Sequence, residues 1–278
     1  MFNDTTKILL NMVDLSNGKY AFEKSKIILG DCLEKMSLIP DGSVDFICAD
    51  LPFGKTKNPW DVIIPPEKLF PHYWRVIKPN GAIVLFGQDK FTAMMMLSDP
   101  NHRYNLIYEK TTVTNQFNAN KMPMRCHEDI MVFYKALPTY NPQKTTGHPR
   151  KVSTAKHKRN SKKTTNYGAH ELTTYDSTER YPRSVWKFKT DKQKNPLHPT
   201  QKPVALIEEI VKTYTNEYEI VLDNTSGSGT TGEACINLNR DFILIEKNPI
   251  DFEIGKKRVE EIFNNYGHNL QPLYELLC

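Results

Sequence analysis

Glu219-Ile220-Val221-Leu222-Asp223-Asn224-Thr225-Ser226-Gly227-Ser228-Gly229-Thr230-Thr231-Gly232 reads as a short apolar strand, a glycine-rich turn and the start of a helix. The helical pattern runs on through Cys235, Ile236 and Leu238. Phe242-Ile243-Leu244-Ile245-Glu246 is then the next strand, with an acid at its carboxyl end. Strand, glycine turn, helix, strand and acid form an architecture suited to an adenosine-containing ligand. The glycines let backbone N–H groups approach it, and the acid can take both ribose hydroxyls.

Three ligands fit that outline. A P-loop needs Lys after its final glycine, but Thr230 follows Gly229 and Glu233 follows Gly232, which disfavours a nucleoside triphosphate. Gly227, Gly229 and Gly232 match G-x-G-x-x-G, with Glu246 near the expected acid spacing, so a dinucleotide is a fair rival. The third is S-adenosylmethionine.

Working outward, the same alternation fills most of the chain. Asn248-Pro249 opens an amphipathic helix to about Phe263, and His198-Pro199-Thr200-Gln201-Lys202-Pro203 leads into a helix from Val204 to Tyr214. Lys26–Leu29 and Val44–Cys48 read as buried strands, the first followed by Gly30-Asp31 and a short helix carrying Leu33, Met36 and Leu38. Glu67 to Lys78 has helical spacing, which Pro79-Asn80-Gly81 is expected to stop. Ala82–Phe86 is a strand and Phe91–Leu97 a helix, with further strands at Leu106–Tyr108 and Ile130–Tyr134. Asn115 to Glu128 reads as a long functional loop. The expected fold is α/β, a mostly parallel sheet with helices on both faces.

Bulk properties exclude several classes. The apolar fraction of 39% and charged fraction of 25% are those of a globular protein, not of a disordered chain. No apolar run approaches the roughly 20 residues of a membrane span, and Met1–Lys7 lacks the segments of a signal peptide. Cys32, Cys48, Cys126, Cys235 and Cys278 are scattered without metal-ligand spacing, so no metal and reduced thiols in a cytoplasmic protein are expected. The net charge of +5 is unevenly spread: residues 139–196 hold 14 Lys/Arg and 4 Asp/Glu, so the remaining chain is acidic overall. Such a basic segment, interleaved with Tyr167, Tyr175, Tyr181, Trp186 and Phe188, is the footprint of a nucleic-acid-binding insert.

One stretch joins these parts. Asp50-Leu51-Pro52-Phe53 puts an acid at the carboxyl end of the Val44–Cys48 strand, followed by a proline-stiffened turn and an aromatic. A carboxylate beside an aromatic suits a flat, amine-bearing ring, which stacks on one while the other accepts its N–H bonds.

Asp50-Leu51-Pro52-Phe53 resembles the [D/N/S]-P-P-[Y/F/W] tetrad of DNA amino-methyltransferases, Asp223–Thr231 resembles their D-P-F-x-G-S-G-T-T cofactor loop, and His198–Pro203 resembles their H-P-T-Q-K-P element. The order of tetrad, basic region, H-P-T-Q-K-P and cofactor loop is that of the β-class, and the resemblance spans roughly Ile27 to Val259. Leu51 in place of the first proline and Asn224-Thr225-Ser226 in place of P-F-x are departures.

The resemblance implies a Rossmann-like S-adenosylmethionine-dependent methyltransferase acting on an exocyclic amine of a base flipped from double-stranded DNA. It implies catalytic roles for Asp50, the Pro52 carbonyl and Phe53. Asp223, Thr225, Gly227, Ser228, Gly229, Thr230 and Thr231 would surround the methionine moiety, Glu246 would hold the ribose, and Asp31 would lie near the adenine or methionine end. Lys202, supported by Thr200, would meet the cofactor carboxylate. Lys144, Arg150, Lys151, Lys156, Lys158, Arg159, Lys162 and Lys163 would contact DNA phosphates. The implied organisation is a catalytic half at 1–138, a recognition insert at 139–196 and a cofactor half at 197–278. Because the tetrad opens with Asp, adenine N6 is preferred over cytosine N4. No cysteine follows a proline, which disfavours cytosine-C5 chemistry. A non-catalytic DNA-binding protein on the same scaffold is the rival of another class. A homodimer is an expectation from the family, and no endonuclease pattern or partner is legible.

Overall fold

The computed structural model describes residues 7–9, 24–56, 58, 61–153, 174–190 and 201–265. Five of the residues expected to contact DNA, Lys156, Lys158, Arg159, Lys162 and Lys163, lie outside these residues, as do Thr200 and Tyr167. The chain divides into two compact units, one comprising Met1–Asn141 and Ser184–Cys278, the other Pro142–Arg183.

The larger unit is built on nine strands: β1 (Lys7–Leu9), β2 (Lys26–Leu29), β3 (Val44–Ala49), β4 (Ile77–Gly87), β5 (His102–Thr114), β6 (Arg125–Phe133), β9 (Val185–Phe188), β10 (Ile220–Asp223) and β11 (Asp241–Glu246). The smaller unit contributes β7 (Lys151–Ser153) and β8 (Tyr175–Ser177), an antiparallel pair. The helices are α1 (Cys32–Met36), α2 (Pro66–Val76), α3 (Asp89–Ser98), α4 (Val204–Tyr214), α5 (Thr230–Asn237) and α6 (Pro249–Asn265).

The large sheet has the order β1-β2-β11-β10-β3-β4-β6-β5-β9. The run β2-β11-β10-β3-β4 is parallel throughout, whereas β4-β6-β5 is antiparallel and β9 joins β5 in parallel. This is the expected mostly parallel α/β fold. Both faces of the parallel run are buried, which is why its strands read as unbroken apolar runs. Phe46, Val84, Val221 and Leu244 pack with Ile207 and Ile210 of α4, Cys235 of α5 and Val259 of α6. Their neighbours Ile47, Leu85, Leu222 and Ile243 pack on the other face with Met36 of α1, Leu69 and Tyr73 of α2 and Met95 of α3.

Three local expectations are corrected. First, α2 ends at Val76, because Ile77 already has extended dihedrals, and Pro79-Asn80-Gly81 does not stop the helix but lies inside β4. Val44 pairs with Ile77 and Phe46 with Ala82, so residues 78–81 bulge out of the ladder. A Cβ on Gly81 would sit 2.6 Å from the Asp45 carbonyl oxygen, so the bulge needs a glycine at that close approach. Second, the loop read over Asn115–Glu128 shrinks to residues 115–124, because β5 and β6 run on through polar residues as a hairpin. Its ladder bonds satisfy those backbones whatever their side chains. Third, Trp186, counted with the basic insert, is 9% exposed and sits in the core of the large sheet. In β9 it pairs with Tyr108.

In the smaller unit, two residues read as phosphate contacts are ion-paired: Lys144 with Glu179 at 3.0 Å and Arg150 with Asp176 at 2.5 Å. Lys151 is exposed on β7, and Lys144 lies over the Tyr181 ring at 4.9 Å. Among the described residues no helix is long and apolar enough to cross a membrane.

Candidate active site

β3 and β10 are hydrogen-bonded neighbours, with Val221 opposite Phe46 and Leu222 opposite Ile47. Their carboxyl ends therefore deliver the Asp50–Phe53 tetrad and the glycine turn side by side, where open α/β sheets collect ligands. A cavity of about 880 Å³ lies there, lined by Asp50, Pro52 and Phe53 on one side and by Asp223, Gly227 and Glu246 on the other.

The tetrad is held from below and from behind. Leu51 is 3% exposed and packs into the core on the α2 face, so the residue that departs from the family pattern is a core residue. Pro52 and Phe53 stay half-buried on the cavity wall, and Phe53 leans on Phe91 with ring centroids 4.9 Å apart. Behind them the backbone N–H groups of Gly54, Lys55 and Thr56 donate to the Asp61 carboxylate at 2.8, 2.8 and 2.6 Å. Burial opposes ionisation of Asp61, but those donors outweigh it and hold the carboxyl below its ordinary value.

Asp50 is the end of a chain of buried charges. Its Oδ2 accepts from Lys202 Nζ at 2.5 Å, while Oδ1 is buried without a hydrogen-bond partner among the described residues. The same ammonium lies 3.1 Å from Glu128 Oε2. Glu128 Oε1 in turn accepts from Lys110 Nζ and, at 3.0 Å, from Gln88 Nε2. The Lys202 ammonium also sits 4.8 Å from the centroid of the Phe86 ring. Burial raises the Asp50 carboxyl above its usual value despite Lys202. Burial would also raise Glu128, but Lys202 and Lys110 together bring it down to about 2. Against burial, the two carboxylates push Lys202 up, so it remains an ammonium.

The cofactor-loop candidates converge on the opposite wall. Asp223 Oδ1 accepts from the Thr225 N–H at 3.1 Å and Oδ2 from the Thr231 hydroxyl at 2.6 Å. Burial raises its carboxyl to about 7, against those two bonds and with help from the charges of Asp50 and Glu246. The Thr225 hydroxyl also donates to the Asp50 backbone carbonyl at 3.2 Å, tying the two turns together. Gly229 has φ +78, and a Cβ there would lie 3.0 Å from Gly255 Cα, so α6 packs directly on the turn. Arg258 of α6 donates to the Thr230 hydroxyl at 3.0 Å and pairs with Glu233 at 2.5 Å. Ser228 is also buried in this turn.

Glu246 accepts from the Gly227 and Asn248 N–H groups at 2.8 and 2.7 Å. Asp31 caps α1 by accepting from the Leu33 N–H at 3.0 Å and meets Lys247 at 3.1 Å. Asn224, which replaces the family's proline, is 2% exposed and accepts from the Tyr73 hydroxyl at 2.6 Å.

The structure thus brings together Asp50, Pro52, Phe53, Asp31, Lys202, Asp223, Thr225, the glycine turn and Glu246 around one cavity. Glu128, Lys110, Gln88, Asp61, Tyr73, Gly255 and Arg258 also build the site without having stood out in the sequence. For Glu128 a signal existed: it shares the period-2 face of Ile130 and Val132, so a carboxyl points where a core residue is due.

The chain is similar to known DNA methyltransferases. A family model described as DNA methylase (N6_N4_Mtase) covers residues 44–257. The type II methyltransferase M.HpaI of Haemophilus parainfluenzae is 28% identical over 256 residues, 87% of this chain and 76% of that protein. The DNA adenine methyltransferase YhdJ of Escherichia coli (strain K12) is 28% identical over 269 residues, 87% of this chain and 85% of that protein. Among solved structures, the M1.HpyAVI–SAM complex superposes with a TM-score of 0.56 at 25% identity, over 84% of this chain and 98% of that one. The cytosine-N4-specific PvuII DNA methyltransferase gives 0.59 at 14% identity, over 91% and 97%, a likeness of fold.

Proposed function

This chain belongs to the DNA methylase family, and we propose that it transfers a methyl group from S-adenosylmethionine to the exocyclic N6 of an adenine flipped out of duplex DNA. The observation that carries the reading is Asp50 Oδ1, a buried acceptor with no partner among the described residues, beside the Phe53 ring on the cavity wall. A flipped adenine would stack on Phe53 and give its two amine N–H bonds to Asp50 and to the Pro52 carbonyl. Those bonds localise on nitrogen a lone pair that is otherwise delocalised into the ring. An exocyclic amine cannot reach a donor from inside the helical stack, which is why the base must leave it. Positioning and electrostatics then supply most of the help.

The residues present fit the cofactor. Glu246 has lone pairs left for ribose hydroxyls beyond the two N–H bonds it accepts, and Asp31 lies on the same wall. Asp223 with Thr225, Gly227, Ser228, Gly229, Thr230 and Thr231 would surround the methionine moiety. When bound, S-adenosylmethionine supplies an electrophilic methyl group on a sulfonium. The Lys202 ammonium has three N–H donors, of which Asp50 accepts one, while Glu128 faces it as an ion-pair partner at 3.1 Å. A donor would remain for the cofactor carboxylate, with Thr200 in support.

Residues 139–196 are read as the recognition insert between a catalytic half at 1–138 and a cofactor half at 197–278. Lys144, Arg150, Lys151, Lys156, Lys158, Arg159, Lys162 and Lys163 would contact phosphates there. The concentration of basic residues in that segment supports this.

Transfer of labelled methyl to unmethylated genomic DNA, followed by mass analysis of its nucleosides, tests the reading. N6-methyladenine is expected, lost in Asp50→Ala. N4-methylcytosine as the sole product overturns the adenine assignment, and no transfer at all points to a DNA binder without catalysis.

A further inference from the structure

Four buried charges alternate along the cavity wall in the order Lys110, Glu128, Lys202, Asp50. Their side chains are 13%, 7%, 10% and 29% exposed. Two cations and two anions balance, yet burying such a set contributes less stability than apolar residues of the same volume. The neighbouring positions show what the fold does where only packing matters: Leu106 and Tyr108 precede Lys110 on its face of β5, and Ile130 and Val132 follow Glu128 on its face of β6. The polar set therefore calls for another reason, and its far end supplies one. Lys202 comes from the connection before α4, not from a strand, so no ladder of its own fixes its ammonium. Glu128 of β6 faces that ammonium at 3.1 Å, and Glu128 is itself held by Lys110 and Gln88 on regular strands and their ends.

We propose that Glu128, braced by Lys110 and Gln88, is a positioning residue for methyl transfer: it fixes the Lys202 ammonium on Oδ2 of Asp50 and so leaves Oδ1 to accept the amine. This role rests on the proposed function. Lys110 acts one step further back, through Glu128. Without Glu128 the ammonium swings towards the cofactor side of the cavity, the Asp50 carboxyl loses its fixed plane, and the amine is held off the line of transfer.

The test is single-turnover transfer of labelled methyl from S-adenosylmethionine to unmethylated genomic DNA by wild type, Glu128→Gln, Lys110→Met, Lys110→Arg and the double variant Lys110→Met/Glu128→Gln. Affinity for S-adenosylmethionine is measured by calorimetry and for DNA by fluorescence anisotropy. Glu128→Gln is expected to slow transfer by about 10–100-fold, the loss that a misplacement on the order of 1 Å causes, with DNA affinity unchanged and S-adenosylmethionine affinity not weakened. Lys110→Met is expected to slow it less and Lys110→Arg hardly at all. The double variant should be no slower than Glu128→Gln, because Lys110 works only through Glu128. Removing one charge of each sign keeps the set balanced, so the double variant also carries the comparison where a single one fails to fold. Wild-type transfer rates in Glu128→Gln or in the double variant overturn the proposal and leave the methyltransferase reading standing. A wild-type protein that methylates no DNA overturns that reading, and this role with it.

Discussion

Replacing Lys202 with Met removes the ammonium while keeping an unbranched side chain one atom shorter, and the consequences can be worked through from its partners. Two carboxylates lose a cation, but Glu128 keeps Lys110 and Gln88, so the uncompensated charge is that of Asp50. Breaking a buried pair from one side costs about 3–5 kcal/mol. Asp50 can instead take up a proton. At pH 7, neutralising a carboxyl with an ordinary value of 3.8 costs about 4 kcal/mol. Protonation therefore caps the loss, and Lys202→Met is expected to lower stability by about 3–4 kcal/mol at neutral pH. In a chain of this size that lowers the melting temperature by about 6–15 °C.

The variant also acquires opposed pH trends. With Lys202 gone, only the more distant Lys110 offsets the burial that already raises Asp50, so its folded value rises further above 3.8. A raised folded value means that its contribution to stability is complete below about pH 4 and is lost as pH rises through the folded value. Transfer runs the other way, since the ionised carboxylate is the stronger acceptor. At pH 7 the transfer rate should fall by about 100-fold or more, and it should recover as pH rises. Melting curves and single-turnover rates between pH 5 and 9 check both. A variant with wild-type melting and wild-type transfer, both flat in pH, refutes the view that Lys202 compensates Asp50.

Gly255→Ala puts a Cβ within 3.1–3.3 Å of the Gly227–Gly229 backbone; backbone cannot yield as a side chain does, so a loss of about 1–3 kcal/mol and weaker S-adenosylmethionine binding by calorimetry are expected. Asp61→Asn leaves the three N–H groups of residues 54–56 with a neutral acceptor and should cost about 1–3 kcal/mol. Because Asp61 is held below 3.8 in the fold, its contribution is present above about pH 4 and fades as pH falls through the lowered value, so the acid limb of a melting-versus-pH curve should flatten in the variant. Asp223 has the opposite sign: with a folded value of about 7 its contribution is complete below pH 3.8 and is lost as pH rises towards and through 7, and Asp223→Asn should melt with less pH dependence across that window.

The parallel half of the sheet was legible because burial on both faces leaves runs such as Phe242–Ile245 without polar interruptions, and glycine spacing marks the turn between β10 and α5. The antiparallel half was not. β5 and β6 run on beyond the apolar stretches Leu106–Tyr108 and Ile130–Tyr134 through polar residues, of which His127 and Glu128 read as loop, and only hairpin pairing makes them strands. That hid Glu128 from the sequence. Pro79-Asn80-Gly81 reads as a turn and forms a bulge, because the partner strand absorbs it without breaking the ladder. Asp61 and Gly255 matter only through contacts with segments read separately, and local patterns carry no trace of them. The sequence pairing of Lys202 with a cofactor carboxylate came from resemblance, whereas its partners Asp50 and Glu128 emerge only in three dimensions.

The hydrogen-bonded neighbourhood of β3 and β10 gives the reaction its ruler. Adjacent strands lie about 4.8 Å apart, and on the proposed function the turn for the accepting amine and the turn for the methyl donor hang on adjacent strands. On that reading the spacing between donor and acceptor is inherited from the backbone ladder. It does not depend on the length of the chain that separates the two strands in sequence. Segments threaded between β3 and β10 can then lengthen or shorten without changing the distance between the two turns.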